Sequence, residues 1–582
     1  MELQAYWGIG PKTAEQLSDT LGAEQAIEAI KAGDIRELTG AGLDRGRVTT
    51  ILRRAHGEAG MDVLATRDTR SVYKELLALA TAYAVTERAA DELTVLTPLS
   101  ERDAIENRLE TVDAAVASWR GLTQARRDQL LEIFEGYDSL AGDRAAVAAA
   151  IECHETGIDG GIFEPIASLD PDALGEAHQA MGQLADGEVA DGADGTLDRL
   201  RSSLETVTVL EANALDVFEE VRERGVRGED EFRQAVIQYL DRNTDADIDT
   251  IRRAAPDEAV DSADFVSSTL RGLAEDLRAE VDAREVAVAA DLESTIEATH
   301  TTVATAVEAI DDLALAVSLA RFAIDCELTR PTIHDDGDTI AFAGGRNLAL
   351  PAAGESVQPV TYAIGAHDLA DAPAGEDVAV LTGANSGGKT TLLETACQVA
   401  VLATMGLPVP ADRATVGRFD AIVFHRRHAS FNAGVLESTL QTIVPPLTAD
   451  GQTLMLVDEF EAITEPGSAA DMLHGLVNMV VAEASIGVFV THLAGDLEPL
   501  PEQARLDGIF AEGLNADLDL VVDYQPRFHT IGRSTPEFIV SRLVANATDP
   551  HERVGYEVLA ERLGAEVAQR KLGDDWGEAA DG

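Results

Sequence analysis

The sequence is poor in lysine and cysteine, and it has no long apolar run. Only five of its 582 residues are lysine: Lys12, Lys31, Lys74, Lys389 and Lys571. Its three cysteines show neither metal-ligand spacing nor a pairing pattern, which favours a reduced interior over a disulfide framework. No apolar stretch approaches about 18 residues, and the N-terminus MELQAYWGIG does not resemble a signal peptide. These absences predict a soluble, cytoplasmic protein with no membrane partner.

Basic residues are scarce relative to acidic ones. The chain has 45 lysines and arginines against 104 aspartates and glutamates, which gives a formal net charge of −59. No single block carries this charge, so an acidic tail does not explain it. An acidic surface spread over every segment indicates adaptation to molar salt, where the Debye length is about 3 Å and self-repulsion is screened. Charge of this origin neither favours nor excludes a nucleic-acid partner.

The clearest motif is a glycine-rich loop between a predicted strand at 378–381 and a predicted helix that begins near 390. Residues 383–390 fit the P-loop pattern G-x-x-x-x-G-K-[ST]. Glycines let backbone N–H groups surround phosphate oxygens, and the positive end of the helix faces the same anion. Lys389 is predicted to reach the β- and γ-phosphates, and the Thr390 hydroxyl to bind Mg²⁺. The predicted ATP site comprises Gly383, Ala384, Asn385, Ser386, Gly387, Gly388, Lys389, Thr390 and Thr391.

Two further apolar runs end in polar residues. Residues 454–457 precede Asp458 and Glu459, which lie 69 and 70 residues after Lys389. An aspartate at the end of a buried parallel strand can hold the Mg²⁺ shell beside a P-loop. Glu459, the next residue, is predicted to polarise the attacking water as a general base. A run at 486–490 leads to His492, for which we predict a role as γ-phosphate sensor.

The first 58 residues contain two turns typical of helix–hairpin–helix units. Trp7 to Ala14 and Leu38 to Leu43 each place an apolar or small residue between two glycines, about 30 residues apart. Such turns direct backbone amides at a DNA phosphate and give affinity without reading bases. The residues predicted to bind DNA are Gly8, Gly10, Lys12, Thr13, Gly40, Gly42, Arg45 and Arg47.

Residues 59–329 show mostly helical periodicity. Apolar residues recur three, four or seven apart from 263 to 322, which predicts one long helix or two. This segment is interpreted either as a lever between distant sites or as a dimer interface. Arg222, Arg224 and Arg227 cluster around two glycines and either touch DNA or form a salt-bridged surface turn; the interleaved acidic residues favour the turn.

Taken together, residues 330–550 resemble the ATPase domain of the MutS family. Residues 383–391 resemble that family's G-x-N-x-G-G-K-[ST]-T, in which the asparagine is more diagnostic than a generic P-loop. Gly345-Arg346-Asn347 resembles the glycine–arginine–histidine motif, with Asn347 in place of histidine. Ser438-Thr439-Leu440, Thr491-His492 and the segment from Ile531 to Ile539 resemble the family's Ser-Thr-Phe, Thr-His and Gly-x-Ser segments.

The resemblance implies a homodimer with two composite ATP sites, in which Ser438 acts in trans on the partner's nucleotide. The Phe-x-Glu wedge of mismatch-reading members has no counterpart near the N-terminus, because its only matches begin at Phe218 and Phe510. About 30 residues follow the ATPase region, fewer than a nuclease-like domain needs. The chain therefore resembles the shortened MutS-II type, which implies an ATPase whose DNA binding lacks evident mismatch or sequence specificity.

We therefore predict a multidomain protein with an all-α N-terminal part and a C-terminal α/β P-loop ATPase. The predicted domains are a helix–hairpin–helix unit at 1–58, a helical lever and clamp at 59–329, the ATPase at 330–550 and a helical tail at 551–582. Two alternatives remain at this point. One is an ABC-type or cohesin-like DNA-associated ATPase, and the other is a structural DNA-binding protein with a vestigial ATP site.

The charge balance generates a first testable prediction. With a net charge of −59, the fold should lose stability on dialysis from molar KCl to low salt, because carboxylates that are no longer screened repel one another. Circular dichroism during thermal melting, recorded across a KCl series, measures the effect. A melting temperature that does not depend on KCl would contradict the interpretation of salt adaptation.

Overall fold

The computed structural model describes residues 3–6, 8–140, 142–185, 187–225, 228–352, 357–383, 388–427, 433–463, 466–497, 499–514, 520–532, 536–547 and 549–574. The chain forms two compact units, one of residues 1–127 with 313–582 and one of residues 128–312. The boundaries of these two units differ from the domain boundaries predicted from the sequence, which stay predictions. In the described part of the chain, no helix is both long and apolar enough to span a bilayer.

The described residues up to 325 are almost entirely helical. In chain order the α-helices are α1 (Pro11–Thr20), α2 (Ala23–Ala32), α3 (Ile35–Gly40), α4 (Arg45–Gly57), α5 (Arg67–Thr81), α6 (Glu87–Val95), α7 (Arg102–Gly121), α8 (Gln124–Leu140), α9 (Asp143–Glu155), α10 (Glu164–Ala167), α11 (Pro171–Gln183), α12 (Gly195–Ala212), α13 (Ala214–Glu223), α14 (Glu229–Asn243), α15 (Ile248–Ala254) and α16 (Ser262–Asp325). Short 3₁₀ helices lie at Leu3–Ala5, Glu58–Val63 and Gly161–Phe163, and β1 (Leu184–Ala185) pairs with β2 (Glu188–Val189).

From residue 332 onward the chain is α/β, as the sequence predicts. The strands are β3 (Thr332–His334), β4 (Thr339–Gly345), β5 (Val360–Gly365), β6 (Val378–Gly383), β7 (Arg413–Gly417), β8 (Ala421–His425), β9 (Thr453–Asp458), β10 (Ile486–Val490), β11 (Ala504–Leu514) and β12 (Leu520–Arg527). The helices are α17 (Ala349–Ala352), α18 (Lys389–Thr404), α19 (Ala433–Thr448), α20 (Pro466–Ala482), α21 (Pro536–Asn546) and α22 (Pro550–Asp574), with 3₁₀ turns at Phe460–Ile463 and Ala494–Asp496.

The strands form a six-stranded and a four-stranded sheet. The larger has the order β12-β11-β6-β10-β9-β8, in which β12 alone is antiparallel to its neighbour, and the smaller has the order β3-β7-β4-β5. Strands β6, β8, β9 and β10 are apolar along nearly their whole length and buried at every position. Such runs are typical of a parallel sheet with both faces covered.

Alternate residues of the central strands enter two separate cores. Val378 and Val380 of β6 face a core shared with apolar residues of α19 and α20. Ala379 and Leu381 face the other core, which includes α18, α5 and the smaller sheet. The helix that follows the P-loop is therefore enclosed on several sides, so its first turn is held firmly against the sheet.

The outer edge of the larger sheet, strand β8, is covered by the residues just before and within α5. The Thr66 hydroxyl donates to Phe424 O at 2.6 Å, and the Thr69 hydroxyl donates to Ile422 O at 3.0 Å. The Phe424 N–H donates back to Thr69 Oγ1 at 3.0 Å. Because an exposed strand edge leaves backbone groups unpaired, these side chains complete the hydrogen bonding of β8.

The residues 128–312 form a helical unit with its own apolar core. Val236, Leu240 and Ile251 pack there with Leu270 and Leu273 of α16. The predicted long helix is a single one of 64 residues. Of its predicted apolar seam, Leu292, Ile296 and Val307 are half-buried, and the buried members are Leu270, Leu273, Leu277, Val281, Val288, Val303, Ile310 and Val317. The interpretation of this helix as a lever or as a dimer interface stays a prediction.

The cover over β8 generates a second prediction. Thr69→Val keeps the shape of the side chain but removes its hydroxyl, so it should lower the free energy of unfolding by about 1–3 kcal/mol. The matched control is Thr50→Val on the exposed face of α4, which should change it by less than about 0.5 kcal/mol. Urea midpoints of the two variants compare the effects, and equal midpoints would contradict the proposed cover.

Candidate functional site

The candidate site lies where β6, β9 and β10 end. In the register of the sheet, Leu381 of β6 and Asp458 of β9 both pair with Val490 of β10. The segments that leave these three strands therefore start side by side, and they contain the P-loop, Glu459 and His492. Of the predicted ATP-binding residues, Ala384, Asn385, Ser386 and Gly387 lie outside the described residues.

Both glycines that flank this gap have conformations that suit glycine. Gly383 has φ +133° and Gly388, the N-cap of α18, has φ +72°. A Cβ atom on Gly383 would overlap the carbonyl oxygen of Ile509, and one on Gly388 would lie 2.7 Å from the Tyr524 ring. Both positions combine a backbone conformation that is unfavourable for other residues with close packing, which explains why the motif needs glycine there.

Lys389 and Thr390 point back toward the strand ends. Lys389 is only 4% exposed, and its Nζ donates to Gly383 O at 3.0 Å. Burial lowers the pKa of Lys389, and the carboxylates of Glu459 and Asp458 oppose that shift. The Thr390 hydroxyl donates to Asp458 Oδ2 at 2.7 Å. These contacts join the start of α18 to the end of β9.

The Thr390 and Asp458 oxygens suit Mg²⁺. Asp458 is 1% exposed, and its Oδ1 has no hydrogen-bond partner among the residues that the structure describes. Burial raises the pKa of the Asp458 carboxyl, and the hydrogen bond from Thr390 opposes that shift. Within the described ranges, no group of three histidine, cysteine or acidic residues could hold a metal ion. Mg²⁺ typically uses one or two protein oxygens together with substrate phosphates and waters, and the Thr390 hydroxyl and Asp458 carboxylate are oxygens of this kind.

Glu459 occupies a strained position. It has φ +40°, and its N–H donates to Val490 O at 3.0 Å. A non-glycine residue in this conformation costs about 1–3 kcal/mol, and such residues cluster at functional sites. The Glu459 carboxylate is largely buried, with His492 Nε2 3.1 Å from Oε1 and Arg427 Nη1 2.6 Å from Oε2. The His492 hydrogen bond holds the pKa of Glu459 below its usual value, although burial acts against this.

Two residues of this cluster were not assigned from the sequence. Arg427 follows β8, and the sequence signal was the basic run that begins at His425. Glu461 lies two residues beyond Glu459, and its Oε1 accepts from the His492 N–H at 2.6 Å and from the Thr491 hydroxyl at 2.9 Å. Glu461 thus fixes the backbone that carries His492.

The motif at 345–347 supports α18 from the smaller sheet. Asn347 Nδ2 donates to Thr391 O at 3.3 Å, and the Leu348 N–H donates to Gln398 Oε1 at 2.9 Å. Arg346 pairs with Asp412 at 2.6 Å. Asn347 and Gln398 therefore position the P-loop helix rather than facing the strand ends directly.

The remaining family-like segments lie at separate positions in the described structure. Ser438 is exposed on α19, and its predicted action on a partner subunit stays a prediction. The Gly532 N–H donates to the Thr382 hydroxyl at 2.6 Å, so the tail contacts the P-loop strand of its own chain. Arg533 and Ser534 lie outside the described residues.

The two N-terminal turns contact each other's helices. Gly8 and Gly42 have φ +82° and +88°. Arg47 of α4 donates to the Thr13 hydroxyl at 2.6 Å and to Gly8 O at 3.3 Å. Gln16 of α1 donates to Ala41 O at 2.9 Å, within the second turn. The two turns are thereby held in one small core, whose described members include Leu17, Ile30, Leu38 and Val48.

The residues predicted to bind DNA differ in how exposed they are and in whether they already contact other residues. Lys12 is exposed, and Gly10 and Gly40 have open space around them. Thr13 is buried and, with Arg47, belongs to the contact between the turns. Arg45 forms an ion pair with Asp91 of α6.

The arginine cluster near residue 225 pairs within its own unit. Arg224 binds Glu220 at 2.9 Å and lies over the Tyr239 ring, while Arg222 lies over Phe218. Arg227 lies outside the described residues. For the described pair, these contacts agree with a salt-bridged surface turn.

Known proteins resemble parts of this chain, although no family model matches it. It is 43% identical over 232 residues to the DNA-binding protein MutS2 of Pyrococcus furiosus, a match covering 39% of this chain and 40% of the relative. It is 27% identical over 408 residues to the DNA mismatch repair protein MutS of Natronomonas pharaonis, a match covering 62% of this chain and 45% of the relative. A match to the endonuclease MutS2 of Solidesulfovibrio magneticus is 33% identical and covers 22% of this chain and 17% of the relative. Each match spans less than half of the relative, and all three relatives carry MutS or MutS2 names.

Proposed function

We propose that this chain, whose homologues are MutS and MutS2 proteins, is a DNA-binding ATPase of the MutS-II type that hydrolyses Mg·ATP. The observation that carries the proposal is the convergence of Lys389, Thr390, Asp458, Glu459 and His492 at one edge of a parallel sheet. These side chains supply the charge, metal ligands and base that phosphoryl transfer to water requires. The name and the identity of the Pyrococcus furiosus relative support the assignment to the MutS-II type.

Each side chain has a separate task in the proposed reaction. Lys389 leaves the Gly383 carbonyl to bind the β- and γ-phosphates of ATP. Thr390 and Asp458 would hold Mg²⁺, which neutralises charge on those phosphates. Glu459 accepts a proton from the attacking water, and His492 orients the Glu459 carboxylate and contacts the γ-phosphate.

The proposed DNA contacts use the two N-terminal turns. Backbone amides near Gly8, Gly10, Gly40 and Gly42 bind phosphates, and Lys12 adds a positive charge. Phosphate contacts alone do not distinguish sequences, so binding is non-specific. Arg45 and Arg47 contribute mainly by holding the turns in place, since both already have partners within the unit.

The composite architecture is also part of the proposal. Two copies of the chain form a homodimer, and Ser438 of each copy acts on the nucleotide of the other. The exposure of Ser438 on α19 supports this arrangement, because nothing in the described chain covers it.

The two alternatives fit the observations less well. A vestigial ATP site would have no need to keep Lys389 and Asp458 buried and Glu459 strained in one cluster. An ABC-type or cohesin-like ATPase is disfavoured, because the homologues carry MutS and MutS2 names.

The ATPase assignment predicts that two variants lose ATP turnover for different reasons. Lys389→Ala should abolish ATP turnover because the phosphates lose their only buried ammonium in the described site. Glu459→Gln should still bind ATP, but its turnover should fall by about 10²-fold or more because the base is lost. Phosphate release and nucleotide binding in molar KCl measure both effects, with Lys31→Ala on an exposed face of α2 as the control. Wild-type turnover in Lys389→Ala would refute the site.

The DNA assignment predicts a charge effect at one turn. Lys12→Glu should weaken duplex binding equally across sequences and reduce the salt slope by about 0.9 for the lost phosphate contact. Lys31→Glu, which makes the same charge change on α2, should have a much smaller effect. Fluorescence anisotropy on several duplexes tests this. Equal losses in the two variants would mean that overall charge, not the turn, accounts for binding.

A further inference from the structure

Arg427 lies beside the proposed base because of strand order. Strand β8 pairs in parallel with β9, so that His425 aligns with Val457. Arg427 and Glu459 each lie two residues beyond this pair, past the ends of β8 and β9, and the Arg427 Nη1 to Glu459 Oε2 distance is 2.6 Å.

This contact leaves Glu459 poorly disposed to act as a base. Its Oε1 is paired with His492 and its Oε2 with Arg427, and the residue is only 8% exposed. A nucleophilic water needs a carboxylate oxygen that faces it and can accept its proton. With both carboxylate oxygens paired in this way, Glu459 is not arranged to accept a proton from water.

Of the two partners of Glu459, Arg427 is the one free to leave. The Arg427 side chain is 54% exposed, whereas that of His492 is only 30% exposed. The neighbouring Arg426 differs from Arg427, because it is paired with Glu394 at 3.0 Å and lies over the Phe424 ring.

We propose that Arg427 is a positioning residue that pairs with Glu459, as it does here, and moves to the γ-phosphate when ATP binds, which releases the base. This inference rests on the proposed ATPase function. A γ-phosphate has more charge and more acceptor oxygens than a carboxylate, and a guanidinium matches its geometry. ADP lacks the γ-phosphate, so Arg427 stays on Glu459. The exchange thus makes the base available only when there is a phosphate to transfer.

The first test compares nucleotides in the full chain. Titration calorimetry in molar KCl measures the Kd of Mg²⁺ complexes of ADP and of the non-hydrolysable ATP analogue AMP-PNP. Arg427→Gln should weaken AMP-PNP binding about tenfold or more while leaving ADP binding unchanged, and Arg427→Lys should recover part of the loss. The matched control is Arg418→Gln, an arginine before β8 that pairs with Asp335. It should change neither Kd, and thermal melting checks that each variant is folded.

A double-mutant cycle tests the exchange itself. Glu459→Gln should tighten AMP-PNP binding, because Arg427 no longer has to leave a carboxylate. Removing a negative charge near the γ-phosphate would also tighten binding, and the double variant Arg427→Gln/Glu459→Gln separates these causes. The exchange predicts that the gain disappears in the Arg427→Gln background. A gain of the same size in both backgrounds would overturn the proposal.

The remaining outcomes are also decisive. If Arg427→Gln weakens AMP-PNP and ADP equally, Arg427 acts on the nucleotide as a whole and the exchange is refuted. If it changes neither Kd, Arg427 forms only a surface ion pair and the proposal is again refuted. Wild-type protein that binds neither nucleotide would overturn the proposed function itself. If the wild-type protein binds both nucleotides and the ratio of the AMP-PNP Kd to the ADP Kd is unchanged in Arg427→Gln, only the role of Arg427 is overturned.

Discussion

The parallel register of β8, β9, β10 and β6 is the constraint on which the candidate site depends. It aligns Leu381, Val490 and Asp458 at one level, so that the chain leaves each strand at the same edge of the sheet. A slip of one residue would reverse the face of every side chain in the slipped strand. Burial on both faces makes such a slip costly, and the hydroxyls of Thr66 and Thr69 fix the outermost strand as well. The geometry of Lys389, Asp458 and Glu459 follows from this register.

The site concentrates opposite charges around a buried carboxylate. Lys389 is buried near Glu459 and Asp458, and the exposed Arg427 pairs with Glu459, which offsets part of the cost of burying that carboxylate. The strained backbone of Glu459 belongs to the same arrangement, because its N–H is fixed to β10 while its side chain faces the end of β8. In the proposed function, a bound nucleotide and Mg²⁺ would redistribute these pairs. In that function, ATP binding and the availability of the Glu459 carboxylate as a base are linked, because Arg427 contacts Glu459 directly.

Much of this could be predicted from the sequence, because local patterns carry it. Apolar runs marked β6, β9 and β10, and the motifs at their ends indicated Lys389, Asp458, Glu459 and His492. The contacts of Arg427 could not be predicted, since they require β8 to lie next to β9, and local periodicity does not encode lateral strand order. The same holds for Thr66 and Thr69, which cover a strand far along the chain. Arg45 and Arg47 looked available for DNA, but their ion pair and hydrogen bonds depend on tertiary packing.

The convergence of Lys389, Thr390, Asp458 and Glu459 at the strand ends is tested most directly by steady-state ATP hydrolysis by the unmodified chain in molar KCl, with and without Mg²⁺. We expect phosphate release that depends on Mg²⁺. Folded protein that releases no phosphate in the presence of Mg²⁺ would contradict the proposed ATPase.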